Sequence, residues 1–199
     1  MNLRKDNTAI IMIGYQNDYF HPDGSLYSVI ESSSKQTLQN TLNILDKVNG
    51  ITIFSTPIVF TQNYQEISEP IGILQSIKEV GAFQKGSKGS KTVQELDQYS
   101  DRIIEVPGKV GLNAFYNTNL DNLLSIKKIE NVLIVGAVCA ICIDSTARSA
   151  HERGYNVAIV SDAISGRTDF EVSFYLEKIF PLYSSLITSE EIINQLGSD

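Results

Sequence analysis

The chain is poor in the features that mark a membrane protein or a nucleic-acid-binding protein. Lysine and arginine number 16 against 23 aspartates and glutamates, which gives a formal net charge of −7. Because nucleic-acid affinity depends on clustered positive charge, this balance argues against a nucleic-acid partner. The apolar run at residues 9–13 is far too short for a signal-peptide core or a membrane span. We therefore expect a cytoplasmic protein with no membrane partner.

Cysteine and histidine are equally scarce. The two cysteines, Cys139 and Cys142, form a C-x-x-C pair, which raises the question of redox or metal chemistry. There is no second pair, and the only histidines are His21 and His151. Since a structural zinc ion needs four such ligands at suitable spacing, we expect no structural zinc.

What the chain does have is enough apolar sequence for one full core, 42% of 199 residues. Short apolar runs with strand propensity alternate with segments of helical spacing. Such alternation is typical of an α/β fold with a mostly parallel sheet and helices on both faces. We therefore predict a single domain over residues 1–199.

Six strands are predicted, at residues 9–13, 58–61, 102–106, 132–135, 156–160 and 185–187. Helices are predicted at residues 71–80, 119–127 and 170–180, the last ended by Pro181. Thr188 and Glu191 form a capping box for a final helix that stops at Gly197. In parallel sheets ligands bind at the carboxyl ends of the strands, so we expect the site at that edge.

A long helix is predicted between the first two strands. Four apolar residues recur there at helical spacing: Leu38, Leu42, Leu45 and Val48. The pattern runs on towards Phe54, before Pro57, although residues 51–54 also have strand propensity. We assign residues 38–54 to helix.

The segment at residues 132–148 places a thiol where a buried strand passes into a helix. Four branched apolar residues bounded by Gly136 are typical of a strand covered on both faces, and the small residues after Cys142 predict a helix. A helix N-terminus favours thiolate over thiol, and its N–H groups can stabilise an oxyanion. The same position also suits a small buried cysteine, so position alone does not decide the role.

Four segments in order resemble the isochorismatase-like cysteine hydrolases: AIIMIGYQNDYF at residues 9–20, KVGLNAF at 109–115, GAVCAICIDSTAR at 136–148, and Gly154-Tyr155 followed by Asp162-Ala163. Each is weak alone, but four in order are fairly specific, and the resemblance covers residues 9–196. It implies a three-layer α/β/α sandwich with a six-stranded parallel sheet. It also implies hydrolysis of small carboxamides or related C–N bonds, no redox cofactor, and a homodimer or homotetramer.

The resemblance assigns roles to individual residues. The nucleophile falls on Cys142, the catalytic lysine on Lys109, and the oxyanion hole on the N–H groups of Val138 and Cys142, with a cis peptide before Val138. The third catalytic position, an aspartate in the family, is Gly14 here. That aspartate would accept the thiol proton and return it to the leaving amine, and such transfer contributes roughly 10²- to 10⁴-fold to the rate. If the pocket is otherwise competent, Gly14→Asp is expected to raise amidase activity.

Two residues in the loop after the first strand are alternatives for the lost base. Asp18 more commonly holds the loop by hydrogen bonds, and a loop histidine such as His21 is more often solvated. His151 lies nine residues after Cys142, about 180° away on a helix, so no Cys142–His151 dyad is expected. Cys139 is either a small buried residue or a resolving thiol for Cys142.

Aromatic residues near the motifs are candidates for the walls of a substrate pocket: Tyr15, Tyr19, Phe20, Phe115 and Tyr116. Their alternative role is ordinary core packing. Metal-using relatives, the nicotinamidases, carry an aspartate and histidine pair after the second strand. Residues 61–65 contain no such ligands, so we expect no metal dependence.

Two functions from different classes fit these residues. The first is a cysteine-dependent hydrolase of a small amide or carbamoyl compound, in which Cys142 forms a thioester and Lys109 supports its thiolate. The second is a binding or scaffold protein that kept the pocket but lost turnover with the carboxylate. Isochorismate vinyl-ether hydrolysis is a weaker third hypothesis, because that chemistry depends on the aspartate that Gly14 replaces.

Overall fold

The computed structural model describes residues 1–197 of the chain, and its centre is a six-stranded sheet. The strands are β1 (Thr8–Ile13), β2 (Thr52–Thr56), β3 (Ile103–Glu105), β4 (Asn131–Ala137), β5 (Asn156–Ser165) and β6 (Ser185–Ile187). They lie in the order β3-β2-β1-β4-β5-β6, and every neighbouring pair is parallel. The predicted α/β fold with a parallel sheet is therefore confirmed.

Helices cover both faces of this sheet. They are α1 (Asn17–Phe20), α2 (Glu31–Lys47), α3 (Gly72–Glu79), α4 (Leu120–Ile126), α5 (Asp144–Glu152), α6 (Asp169–Phe174) and α7 (Ser189–Leu196). Shorter 3₁₀ and π turns connect several of them. No helix within residues 1–197 is long and apolar enough to cross a lipid bilayer.

Strand β1 shows how the sheet separates two apolar cores. Ile10 and Met12 belong to the core that α2 and α7 cover, whereas Ala9, Ile11 and Ile13 belong to the core that α4 and α5 cover. Successive side chains of a strand point to opposite faces, so a strand covered on both sides needs consecutive apolar residues. This requirement explains the apolar run at residues 9–13, which begins the first motif.

The helix predicted over residues 38–54 is wrong at its C-terminal end. Helix α2 ends at Lys47, and Gly50 has a φ of +79°, a left-handed conformation in which a helix does not continue. The chain then enters β2, where Ile53 and Phe54 are fully buried in the two different cores. Helical spacing thus gives way to strand alternation at this glycine.

The strand predicted over residues 58–61 is also wrong, because this segment follows β2 instead of forming it. Pro57 comes directly after β2 and has no backbone N–H to donate to a sheet ladder. Beyond it, Ile58 makes one isolated parallel bridge with Lys109. The segment therefore connects the sheet to the chain that carries the predicted lysine.

The helix predicted over residues 170–180 is present but divided. Helix α6 is followed by a π turn at Tyr175–Ile179 and a 3₁₀ turn at Phe180–Leu182. Pro181 lies within the last turn and does not mark its end, since a proline in a first helical turn loses no required hydrogen bond.

The final helix begins and ends as predicted. The Thr188 hydroxyl accepts the Glu191 N–H at 3.2 Å, and the Glu191 carboxylate accepts the Thr188 N–H at 2.8 Å, which is a complete capping box. Gly197 is the C-cap. The remaining predicted strands and helices overlap the observed ones, although β5 extends to Ser165.

Strands β1 and β4 approach each other very closely at their carboxyl ends. Gly136 pairs with Ile13 and has a φ of +116°. A Cβ atom added at Gly136 would lie 1.9 Å from the Ile13 carbonyl oxygen and 2.9 Å from the Tyr15 ring. Only glycine fits here, and the strand ends are consequently held together where the candidate site begins.

We expect Gly136→Ala to lower the free energy of unfolding by roughly 4 kcal/mol, because a backbone oxygen cannot move aside as a flexible side chain can. The matched control is Gly154→Ala, which also has a positive φ, +88°, but nothing within 4 Å of the added Cβ. Its cost should be only the left-handed backbone penalty of about 1–2 kcal/mol. Urea unfolding of both variants measures the difference, and equal costs would contradict the close approach.

Candidate active site

Cys142 lies in the turn that joins β4 to α5, as the sequence predicted. A cis peptide links Ala137 to Val138, and a π turn at Cys139–Ile143 leads directly into α5. The Val138 carbonyl accepts the Ile143 N–H at 3.2 Å, which ties the turn to the end of the strand. Cys142 is 5% exposed, so its thiol is held in a nearly dry position at the carboxyl edge of the sheet.

The side chain of Lys109 meets this thiol from the other side of the sheet edge. Its Nζ lies 3.7 Å from the Cys142 Sγ, and the residue is 2% exposed. Within residues 1–197 this is the only hydrogen bond of the amine, and no carboxylate lies within ion-pair distance of it. An ammonium at this distance stabilises a thiolate, and burial strengthens the effect because little water screens it.

Gln16 fixes the position of the segment that carries Lys109. Its side-chain oxygen accepts the Ile58 N–H at 2.9 Å, and its amide nitrogen donates to the Ile58 carbonyl at 2.9 Å. The same nitrogen also donates to the Ser90 carbonyl at 2.8 Å. Ile58 is the residue that bridges to Lys109. Sequence reasoning missed this positioning role, although Gln16 stood in the first quoted motif.

Gly14 lacks the side chain of the family pattern and also has a left-handed backbone conformation. Its φ is +76°, and a Cβ added there would lie 2.9 Å from the Ala137 carbonyl oxygen and 3.4 Å from the Tyr19 ring. An L-residue is strained in this conformation and would press against backbone. Gly14→Asp can therefore raise activity only if the backbone at this position also rearranges.

Neither alternative base bonds to the thiol or the amine. The Asp18 carboxylate is buried and accepts the N–H groups of Phe83 at 2.7 Å and Ser25 at 3.3 Å. It holds two loops together, the commoner role expected for it. The His21 ring is 40% exposed and its Nδ1 accepts the Asp23 N–H at 3.1 Å.

Cys139 and His151 are separate from the Cys142–Lys109 contact. Burial, followed by the negative charges of Glu171 and Asp144, raises the pKa of the Cys139 thiol to about 12. Both cysteines are free, and a thiol that stays protonated at neutral pH does not serve as a ready resolving partner. His151 lines a different cavity of about 700 Å³ near the amino end of β5.

Four of the five candidate pocket aromatics, Tyr15, Tyr19, Phe20 and Phe115, are buried among the core residues. The Tyr15 ring stacks on Phe20 at 4.8 Å, and its hydroxyl shares a 2.5 Å hydrogen bond with Thr41 of α2. Phe115 lies under the guanidinium of Arg153, 4.8 Å from the ring centre, at the far end of α5. For Tyr15, Phe20 and Phe115 these contacts correspond to core packing, the alternative role considered for them. Tyr116, in contrast, is 66% exposed.

Tyr19 is the predicted aromatic that shares the environment of the thiol. It is 3% exposed and packs against Phe83 with ring centres 5.0 Å apart. Burial raises the pKa of Tyr19 well above its ordinary value, and the charges of Cys142 and Asp18 add to this. Its hydroxyl has no hydrogen-bond partner in the described part of the chain. A protonated donor therefore lies near Cys142 with its hydrogen bond unused.

A cavity of about 670 Å³ opens beside the nucleophile turn. The turn residues Ala140 and Ile141 line it together with Ile73 of α3 and Leu112, whereas Cys142 and Lys109 are not among its lining residues. The volume suits a small molecule. Sequence reasoning missed these walls, because half-buried aliphatic residues carry no chemical signal by themselves. No three metal-ligating side chains come together within residues 1–197.

The sequence also matches a known protein family and individual known proteins. An isochorismatase domain model matches residues 8–191. The ureidoacrylate amidohydrolase of Agrobacterium fabrum is 26% identical over 179 residues, which is 82% of this chain and 78% of that protein. Nicotinamidase 3 of Arabidopsis thaliana is 24% identical over 155 residues, 78% of this chain and 71% of that protein.

Solved structures share the fold. A cysteine hydrolase from Pseudomonas syringae pv. phaseolicola superposes with a TM-score of 0.86 at 18% identity, over 98% of this chain and 95% of that one. N-carbamoylsarcosine amidase from Thermoplasma acidophilum gives a TM-score of 0.74 at 22% identity, over 93% and 98% of the two chains. At these identities the similarity establishes the architecture.

We expect iodoacetamide at pH 7 to alkylate Cys142 and to leave Cys139 unmodified in the folded protein. A pKa of about 12 keeps the Cys139 thiol protonated, whereas Cys142 has the Lys109 amine 3.7 Å from its sulfur. Peptide mass spectrometry after a short exposure reads both sites. Modification of Cys139 at a rate equal to that of Cys142 would contradict this difference, and unfolding in urea should make the two sites react alike.

Proposed function

Since the chain belongs to the isochorismatase domain family of hydrolases, we propose that it is a cysteine-dependent hydrolase of small amide or carbamoyl compounds. The observation that carries this proposal is the 3.7 Å contact between the Lys109 amine and the Cys142 thiol, both buried at the carboxyl edge of the sheet. The relatives' names support the reaction class, since they include a ureidoacrylate amidohydrolase, a nicotinamidase and an N-carbamoylsarcosine amidase.

The proposed reaction begins at the sulfur. The Cys142 thiolate attacks the carbonyl carbon, and the N–H groups of Val138 and Cys142 stabilise the resulting oxyanion. Loss of the amine leaves a thioester on Cys142, and water then hydrolyses it. Lys109 supports the thiolate before attack. No cofactor is needed for any of these steps.

The cavity favours a small substrate with an apolar part. Its lining combines the aliphatic side chains of Ile73, Leu112 and Ile141 with the polar residues Asp144, Ser145 and Arg167. Arg167 is already paired with Glu171, with a closest contact of 2.5 Å, so its charge is balanced locally. Binding of a substrate there would combine burial of apolar surface with hydrogen bonds to the polar residues.

Cys142→Ala is expected to reduce hydrolysis by at least about 10³-fold, because it removes the atom that forms the intermediate. Ammonia release from ureidoacrylate, nicotinamide and N-carbamoylsarcosine is the measurement, with Cys139→Ala as the control that keeps full activity. If the wild-type protein binds these compounds and releases no ammonia from any amide, the binding or scaffold function replaces the hydrolase.

Tyr19→Phe is expected to lower kcat by about 10- to 100-fold, the loss of one hydrogen bond to a developing charge worth ~1.5–3 kcal/mol. It should leave the unfolding free energy nearly unchanged, since the hydroxyl has no partner in the protein. Tyr15→Phe is the matched control: it breaks the bond to Thr41 and should cost ~1 kcal/mol of stability without lowering kcat. Equal effects of the two variants on kcat would show that the Tyr19 hydroxyl has no role in turnover.

A further inference from the structure

We propose that Lys109 carries the proton that an aspartate at position 14 would carry, so that Cys142 and Lys109 form a two-residue catalytic dyad. This inference rests on the proposed hydrolase function and deepens it. In this dyad the Lys109 amine acts as the general base and then as the general acid. It also places a positive charge beside the Cys142 sulfur.

The first support is the isolation of the amine. Lys109 is one of the largest fully buried side chains of the protein, and its only polar contact within residues 1–197 is the Cys142 thiol. An isolated ammonium is costly to bury unless an opposite charge accompanies it. The pair is therefore stable as thiol with amine or as thiolate with ammonium, and one proton passes between the two atoms.

The second support is that the neighbouring groups cannot take this proton. Asp18 uses its carboxylate to accept the N–H groups of Phe83 and Ser25 and makes no hydrogen bond to the thiol or the amine. Tyr19 is held protonated by burial and by nearby negative charge, so it donates but does not accept. His21 is on the surface and bonds to its own loop at Asp23.

The complete reaction balances with this one amine. Neutral Lys109 takes the thiol proton, and the thiolate forms a C–S bond as the carbonyl electron pair moves to oxygen. The ammonium then gives its proton to the leaving nitrogen, the C–N bond breaks, and the carbonyl of the thioester forms. In the second half Lys109 takes a proton from water as that water attacks, the C–S bond breaks, and the ammonium returns its proton to sulfur. The sum is amide plus water giving acid plus amine.

Replacing Lys109 with arginine distinguishes proton transfer from simple charge stabilisation. A guanidinium stays protonated at every working pH, so Lys109→Arg keeps a positive charge beside the sulfur but cannot accept a proton. Lys109→Met removes both properties with little change in length. The two variants together therefore distinguish proton transfer from electrostatic support.

The test uses p-nitrophenyl acetate, whose leaving group needs no proton, and a Cys139→Ala background with Cys142 as the single thiol. In the parent protein we expect a burst of p-nitrophenolate equal to one per Cys142, followed by turnover as the acetyl thioester is hydrolysed. Lys109→Arg should keep the burst and lose 10²- to 10⁴-fold in the later rate, which needs a base. Lys109→Met should also slow alkylation of Cys142 by iodoacetamide at pH 7 at least 10-fold.

The outcomes separate the dyad from the hydrolase function. Turnover of Lys109→Arg within threefold of the parent overturns the dyad and leaves Cys142 as the nucleophile. Unchanged alkylation of Lys109→Met overturns the pairing of thiol and amine, and this arm stands even if the arginine variant does not fold. Release of p-nitrophenolate that survives Cys142→Ala, or no release of p-nitrophenolate by the parent, overturns the proposed function itself. Thermal unfolding of each variant confirms that the fold is intact.

Discussion

The close approach of β1 and β4 at their carboxyl ends is the constraint on which the candidate site depends. Gly136 leaves no room for a side chain against the Ile13 carbonyl, so the two central strands end at one point. From that point one chain turns through Gly14 towards Gln16, and the other enters the turn that carries Cys142. Gln16 then holds the segment of Lys109 through Ile58. The thiol and the amine come from distant parts of the sequence, yet a short series of backbone pairings and Gln16 side-chain hydrogen bonds connects the segments that carry them.

The sequence was sufficient to predict the parallel sheet and the junction that carries Cys142, because buried strands and a strand-to-helix turn leave strong local patterns. The lysine came from a family resemblance and not from any local pattern. Three features were out of reach for physical reasons. The end of α2 depends on the left-handed Gly50, and apolar spacing does not report a dihedral angle. Tyr15 and Phe115 were candidates for either a pocket wall or the core, because an aromatic residue near a motif does not show what its ring packs against. The aliphatic cavity walls had no chemical signature.

The missing carboxylate changes the electrostatics of the site more than its shape. A carboxylate at position 14 would place a counter-charge near the Lys109 amine. Within residues 1–197 that amine hydrogen-bonds only to the Cys142 thiol, and both side chains are buried. Tyr19 occupies the space beside Gly14 with a neutral donor, which adds polarity without adding a second negative charge.

The left-handed backbone of Gly14 also limits what a substitution at this position can do. A side chain introduced there would meet the Ala137 carbonyl and the Tyr19 ring in the present backbone conformation. A redesign that adds a carboxylate at position 14 therefore has to change the path of the loop as well as the residue.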